Sequence, residues 1–248
     1  MINAVTLNKI KTARVIAVLT GAGISAPSGI PTFRGSDGLW KNYKPEELAN
    51  SHAFSKNPQL VWEWYTWRKN LIRNVKPNAA HYALVEMEKL YHEFNIITQN
   101  VDNLHTLAGS RRVIELHGNI MRSKCSKCSK PYVEEFDPRL HIPQCLICGA
   151  LIRPEVVWFG EMLPEAAIHD ARKIVSSCEI LFVVGTSGVV EPAASLPFLA
   201  KTGKAVVIEV NPDITPFSPH ADEVSRIPAD QFFPRLVESL AVKREGKY

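Results

Sequence analysis

The sequence predicts an α/β protein, an open doubly wound parallel sheet with a smaller zinc-binding module. Three observations predict it. Short runs rich in Val and Ile alternate with amphipathic helical patterns, a glycine-rich turn follows the first run, and four of the five cysteines fall in two close pairs.

Taken in order, the apolar runs Val15–Thr20, Asn95–Thr98, Val113–Leu116, Ile180–Val184 and Ala205–Val210 lack polar alternation, as strands buried on both faces do. Between and beyond them, Pro58–Arg73, Asn78–Tyr91, Glu165–Ser176 and Gln231–Val242 repeat apolar residues at three- and four-residue spacing, the period of a helix. Right-handed crossovers then gather the loops after the strands at one sheet edge, where ligands bind in such folds. From Met121 to Arg153 the rhythm breaks into paired cysteines, scattered prolines and little periodicity, which reads as an insert. The expected organisation is a single domain over 1–248. Its sheet-bearing part covers about 1–33, 92–120 and 154–248, with a small helical insert at about 34–91 and a zinc-binding insert at about 121–153.

Composition narrows the function classes. At 248 residues, with 46% hydrophobic and 22% charged residues, the chain reads as an ordinary soluble globular protein. The net charge of +4 is spread through mixed-sign sequence, so a nucleic-acid platform is not expected. No apolar run nears the roughly 20 residues of a membrane span, and the N-terminus has neither leader nor transit-peptide character. An odd cysteine count with paired spacing suits metal binding in a reducing compartment, so the cytoplasm is expected.

The turn Gly21-Ala22-Gly23-Ile24-Ser25-Ala26 is a G-x-G-x-x-A dinucleotide fingerprint, which makes the sheet Rossmann-like. Here Gly21 permits the turn, Gly23 lets backbone approach a pyrophosphate, Ala26 allows close helix packing, and the helix N-terminus faces phosphate. A plain strand–turn–helix also explains it. No acidic strand end follows some 20 residues on, as a dehydrogenase needs. Ser28–Gly35 follows instead, either a loop closing over the nicotinamide half or an ordinary surface loop.

Sixteen residues separate Cys125-x2-Cys128 from Cys145-x2-Cys148, the spacing of a structural zinc site with no open position for water. Cys178 reads as a small buried hydrophobe. At strand ends, Gln99, Asn100 and Asp102 can orient a ribose and carboxamide, or Asn100 and Asp102 can cap a helix starting near Asn103. His117, followed by Gly118, suits a general base or a structural role. Gly185-Thr186-Ser187 and Asn211-Pro212-Asp213 follow apolar strands and suit the adenosine side of the crevice.

In this order the motifs GAGIS, SGIPTFRG, TQNVD, LHG, the two CxxC pairs, VVWFGE, GTS and NPD resemble the sirtuin (Sir2) family from about Val15 to Phe233. The resemblance implies lysine deacylation coupled to NAD cleavage, with one structural zinc. It implies that Gly21, Ala22, Gly23, Ser25, Ala26, Thr32, Phe33, Arg34 and Trp40 hold the phosphates and close over nicotinamide. Gln99, Asn100, Val101 and Asp102 then position the nicotinamide ribose and carboxamide. Gly185, Thr186, Ser187, Asn211, Pro212 and Asp213 line the adenosine pocket, and Ala229 touches adenine. His117 is implied as the base that draws a proton from the ribose hydroxyls after the acyl oxygen has attacked the ribose, with Asn100 beside it. Nicotinamide and O-acyl-ADP-ribose are the implied products. Pro27 stands where many relatives carry Glu, and only a local effect on the loop is expected.

Val157, Phe159, Gly160 and Glu161, with Val189 and Val190, match the family's peptide edge, which implies acyl-lysine proteins or peptides bound as an added strand. Tyr65 and Arg68, three apart on a helix, resemble the Y-x-x-R pair of class III members that grips the distal carboxylate of succinyl or malonyl groups. Ala49 matches a small residue that widens that pocket. Packing and solubility are the other reading of Tyr65 and Arg68. Mono-ADP-ribosyl transfer at the same site is the competing enzymatic reading. A non-catalytic NAD or zinc-ribbon module is the competing binding reading, disfavoured by His117, Asn100 and Asp102 together and by the mixed charge of the insert.

Overall fold

A computed structural model describes residues 2–32 and 48–241. Its strands are β1 (Val15–Thr20), β2 (Glu93–Thr98), β3 (Val113–Glu115), β4 (Gly118–Cys125), β5 (Pro131–Tyr132), β6 (Ile152–Val156), β7 (Ile180–Val184), β8 (Val206–Val210) and β9 (Glu223–Ser225). The helices are α1 (Ala4–Thr12), α2 (Ser51–Lys56), α3 (Pro58–Arg73), α4 (Ala79–Leu90), α5 (Leu104–Ala108), α6 (Glu165–Ser177), α7 (Leu196–Thr202) and α8 (Ala229–Ala241). No helix among the described residues is long and apolar enough to cross a membrane.

Six strands form one sheet in the order β3-β2-β1-β7-β8-β9, and every neighbouring pair is parallel. Strand order reverses between β1 and β7, and that is where a doubly wound sheet opens a crevice beyond its strand ends. Alternate residues of each central strand enter different cores. Ile16, Val18 and Phe182 pack under α1, α4 and α8, whereas Ala17, Leu19 and Leu181 pack under α6 and α7. Burial on both faces explains the unbroken apolar runs.

A second, three-stranded antiparallel sheet, β5-β4-β6, carries the cysteine pairs. It shares a third core with α2 and α3, in which Phe54, Trp62 and Tyr65 meet Ile120, Ile152 and Trp158. The Asn57 side chain caps α3 through Leu60 N, and Pro58 takes a first-turn position where no N–H is needed. These strands run past both limits of the insert expected at 121–153. Helix α4, expected inside the helical insert, packs Ala80, Leu84 and Met87 against the large sheet, so apolar burial assigns it there.

Two details of the first turn differ from expectation. No α-helix opens after the glycines; Ala22–Ile24 and Ala26–Ser28 are single 3-10 turns. Pro27 suits the second turn, and Gly29, at φ 93°, ends it. Ala26 is exposed, so its small size serves no helix packing. Helices α1 and α7 and the edge strand β9 were not expected. They are short or weakly patterned, and tertiary contacts complete them.

Candidate functional site

The loops after β1 and β7 cross in direct backbone contact. Gly21 N donates to Val184 O at 2.9 Å and Gly23 N to Gly185 O at 2.8 Å. A Cβ on Gly21 would lie 2.8 Å from Gly185 O, one on Gly23 2.7 Å from Gly185 Cα, and one on Gly185 2.6 Å from Ile24 N. Part of the glycine requirement is therefore internal to the fold, since it lets two loops meet at the switch point. Ala22 and Gly23 remain half-buried at the mouth of the crevice, and Ser187 is exposed there.

Beneath that crossing lies a buried polar chain. Asn100 Nδ2 donates to Gly21 O at 3.0 Å and to Ser25 Oγ at 3.2 Å, and Ser25 Oγ donates to Asp102 at 2.7 Å. Asp102 also accepts from Leu104 N at 2.9 Å, at the start of α5, as the helix-capping reading expects. Its carboxyl pKa is raised, chiefly by burial, while hydrogen bonds from Leu104 and Ser25 and the Arg68 charge oppose the shift. Farther in, Thr20 Oγ1 joins Thr98 Oγ1 at 2.8 Å and His105 Nε2 at 3.0 Å, and Thr98 Oγ1 accepts from Asn100 N at 3.0 Å. Val101 O accepts from Ile120 N at 2.9 Å, tying this loop to β4.

His117 sits half-buried between β3 and β4. Its Nδ1 lies 2.9 Å from Gln99 O, and since a carbonyl only accepts, Nδ1 carries the proton. In the neutral ring Nε2 is then a free base position. Burial lowers the His117 pKa below 6.5, and the hydrogen bond to Gln99 only partly opposes this. The following Gly118 has φ 76°, and a Cβ there would lie 2.2 Å from Glu155 O, so no side chain fits. The same Gln99 reaches across the crevice, its Nε2 donating to Thr186 Oγ1 at 2.9 Å. Asn211 Nδ2 donates to Thr186 O at 2.9 Å, and Asp213 N donates to Asn211 Oδ1 at 3.2 Å. Pro212 and Asp213 are exposed at the loop surface, and Ala229 opens α8, buried. Amides, hydroxyls and carboxylates thus ring one crevice, a donor and acceptor set that fits a dinucleotide.

The sulfur atoms of Cys125, Cys128, Cys145 and Cys148 lie within 4.8 Å of one another. Four thiolates about 2.3 Å from one ion suit tetrahedral zinc. Lys127 N and Cys128 N both donate to Cys125 Sγ at 3.4 Å, as a knuckle that stabilises thiolate does. Cys178 is buried apart from them, and burial pushes its thiol up to about 12, in keeping with an inert packing role.

The Sir2 family profile matches residues 21–192. The chain belongs to the Sir2 family. It is 55% identical over 208 residues to an NAD-dependent protein deacylase of Aquifex aeolicus (strain VF5), covering 84% of this chain and 87% of the relative. Its structure is similar to an ADP-ribose complex of a mutant Sir2 homologue, with TM-score 0.94, 46% identity and 100% of both chains covered. A Sir2 complex with a p53 peptide and NAD+ matches with TM-score 0.85 and 34% identity, over 98% of this chain and 100% of that one.

In this Sir2 chain Tyr65 and Arg68 lie a turn apart on α3 and are 2% and 6% exposed, too buried for a solubility role. Burial pushes the Tyr65 phenol up to about 12, with Arg68 opposing, and lowers the Arg68 pKa, with Tyr65 and Asp102 opposing. Each of Arg68 and Asp102 thus feels the opposite charge of the other, although burial is the larger influence on both. Ala49 is buried, and its carbonyl accepts from Phe159 N at 2.9 Å. Val157 N donates to His117 O at 2.9 Å, so the segment 157–159 runs from His117 to Ala49. Phe159 and Val189 are 49% and 44% exposed, Val190 is half-buried, and Gly160 has φ 83°. Glu161 behaves differently from a surface contact: its carboxylate accepts from Arg153, Ser51 Oγ and Trp158 N. Thr32 is half-buried, whereas Phe33, Arg34 and Trp40 lie outside the described residues.

Several supporting residues were missed from sequence. Buried Glu209 accepts from Ser218 and Arg226, and Arg226 also donates to Asn211 O at 3.1 Å and Asp213 O at 2.7 Å, which fixes the loop after β8. Arg153, 4% exposed, stacks on Trp158 with its guanidinium 3.2 Å from the ring centroid. For Glu209 the signal was available, a charge inside the apolar run Ala205–Val210, where a charge persists only if paired; Arg153, beside Pro154 and Glu155, carried no such signal.

Proposed function

We propose that this Sir2 chain is an NAD-dependent protein-lysine deacylase whose acyl pocket takes succinyl and malonyl groups as well as acetyl. Deacylation itself accords with the family and with relatives of the same name. The acidic-acyl reading rests on one observation, the burial of Tyr65 and Arg68 side by side in the core that α3 shares with the peptide segment. A protonated phenol and a guanidinium in a dry pocket match a carboxylate, which accepts from both.

In this reading Gly21, Ala22, Gly23, Ser25, Ala26 and Thr32 hold the phosphates, together with Phe33, Arg34 and Trp40. Gln99, Asn100, Val101 and Asp102 orient the nicotinamide half. Gly185, Thr186, Ser187, Asn211, Pro212, Asp213 and Ala229 hold the adenosine half. NAD, when bound, supplies an electrophilic ribose carbon for the acyl oxygen and the hydroxyls that receive the acyl group. His117 accepts a proton from a ribose hydroxyl at Nε2 while Gln99 O holds its Nδ1 proton in place. Val157, Phe159, Gly160 and Glu161 present one edge to an extended peptide, and Val189 and Val190 the other, with main-chain pairing that reads little sequence. Ala49 keeps the acyl pocket wide. Cys125, Cys128, Cys145 and Cys148 hold one zinc ion, and a reducing compartment, the cytoplasm, suits such a centre.

The test is a side-by-side assay of acetyl-, malonyl- and succinyl-lysine peptides with nicotinamide release as the readout. Turnover of all three, dependent on NAD, is expected. Turnover of acetyl-lysine alone would remove the acidic-acyl reading and leave deacetylation standing.

A further inference from the structure

Trp158 links the peptide segment to the acyl pocket through one bond. Its indole Nε1 donates to Tyr65 Oη at 2.9 Å, and both side chains are 2% exposed. An indole nitrogen has a proton and no available lone pair, so the direction of this bond is fixed: the phenolic oxygen accepts. The phenolic proton must therefore point away from Trp158. We propose that Trp158 is a specificity-determining positioning residue, its N–H occupying the Tyr65 oxygen so that the Tyr65 proton is left to donate to the distal carboxylate of an acidic acyl group. The proposal rests on the acidic-acyl reading above and deepens it.

Further contacts give Trp158 the rigidity this role needs. Its backbone N donates to Glu161 at 2.9 Å, and the flanking N–H groups of Val157 and Phe159 are bound to His117 O and Ala49 O. Arg153 covers one part of the ring, and Phe54 lies with its centroid 5.3 Å away. Arg153 is itself held by Glu161 and by Val156 O at 2.7 Å. The indole therefore has little freedom to turn, and a hydroxyl aimed by a fixed partner loses less entropy on binding. Burial keeps the phenol protonated far above neutral pH, so it remains a donor throughout the working range.

The experiment compares kcat/KM for succinyl- and acetyl-lysine peptides in four proteins: the unaltered chain, Trp158→Phe, Tyr65→Phe and the double variant. Trp158→Phe keeps an aromatic ring over Arg153 and removes the N–H. The expected result is a succinyl-to-acetyl ratio lowered roughly three- to tenfold, mainly through the succinyl KM, as losing one oriented hydrogen bond does. In the Tyr65→Phe background the same change is expected to leave the ratio within about twofold, because no hydroxyl remains to be aimed. A merely structural role would lower both activities together and in both backgrounds, and that result overturns the proposal, as does an unchanged ratio. If Trp158→Phe folds poorly, a benzothienyl-alanine placed at position 158 removes only the N–H and gives the same test. Arg68→Met separates the two layers. If the unaltered chain does not desuccinylate, or Arg68→Met spares that activity, the acidic-acyl reading itself falls and the role of Trp158 falls with it. If Arg68→Met abolishes desuccinylation and Trp158→Phe does nothing to the ratio, only the positioning role is refuted.

Discussion

The cofactor crevice and the proposed acyl pocket are neighbours built on different principles. In the crevice most polar side chains are tied to backbone atoms of adjoining strand ends: Asn100 to Gly21 O, His117 to Gln99 O, Asn211 to Thr186 O. On the proposed acyl side the decisive links join side chains to one another, Trp158 to Tyr65 across 93 residues and Arg153 to Glu161 within the segment that carries Trp158. Backbone-tied groups are fixed once the sheet forms. Side-chain links can change while the sheet stays intact, so in the proposed reading acyl choice can vary within a constant NAD-cleaving frame.

The largest effect should come from what supports both regions at once. The zinc module shares its core with α2 and α3, so loss of the metal should loosen the acyl side while leaving the sheet folded. Cys145→Ser, or strong chelation, is expected to release zinc, strip much of a binding free energy of roughly 10 kcal/mol or more, and abolish turnover. Metal content, near-UV circular dichroism and activity measured together test this, and full activity in zinc-free protein would refute it.

His117→Ala breaks the crevice alone. A positioned base contributes on the order of 10²–10⁴-fold, so turnover on every acyl peptide should fall by that factor while NAD binding by calorimetry persists. Arg68→Met breaks the pocket alone. Loss of a buried charged partner costs about 2 kcal/mol, roughly thirtyfold in desuccinylation, with deacetylation changed far less. Equal loss of both activities would mean that Arg68 serves the crevice, through Asp102, and not the acyl group.

The smallest effect is a pH shift. Burial lowers the His117 pKa, so the neutral, proton-accepting ring persists below pH 6.5. The acid limb of kcat/KM, which reports the free enzyme, should have its midpoint below 6.5 and should be the same for acetyl and succinyl peptides. A limb above 6.5 would mean that another group governs it.

The same contrast explains what the sequence disclosed. Strands β1 and β7 and helix α3 are legible to the residue because burial on two faces, or on one helical stripe, imposes a period on the chain. The glycines, His117 and the cysteine pairs are legible because their chemistry needs fixed local spacing. Ala26 misled because the fingerprint assumes a helix, and a chain carrying Pro27, Gly29 and Pro31 turns instead. The Trp158–Tyr65 bond left no local trace, since its partners stand 93 residues apart and meet only when β6 packs against α3. Glu209 and Arg226 are intermediate. A carboxylate inside an apolar strand announces a partner without naming it.

The most direct measurement is the stoichiometry of a single reaction mixture with zinc-loaded protein, NAD and a succinyl-lysine peptide. Nicotinamide, free lysine peptide and acyl-ADP-ribose are counted by mass spectrometry. One of each per turnover is the predicted result. Nicotinamide released without deacylated peptide, or the label of NAD carried onto protein, would contradict the coupling of the two bond cleavages in one crevice.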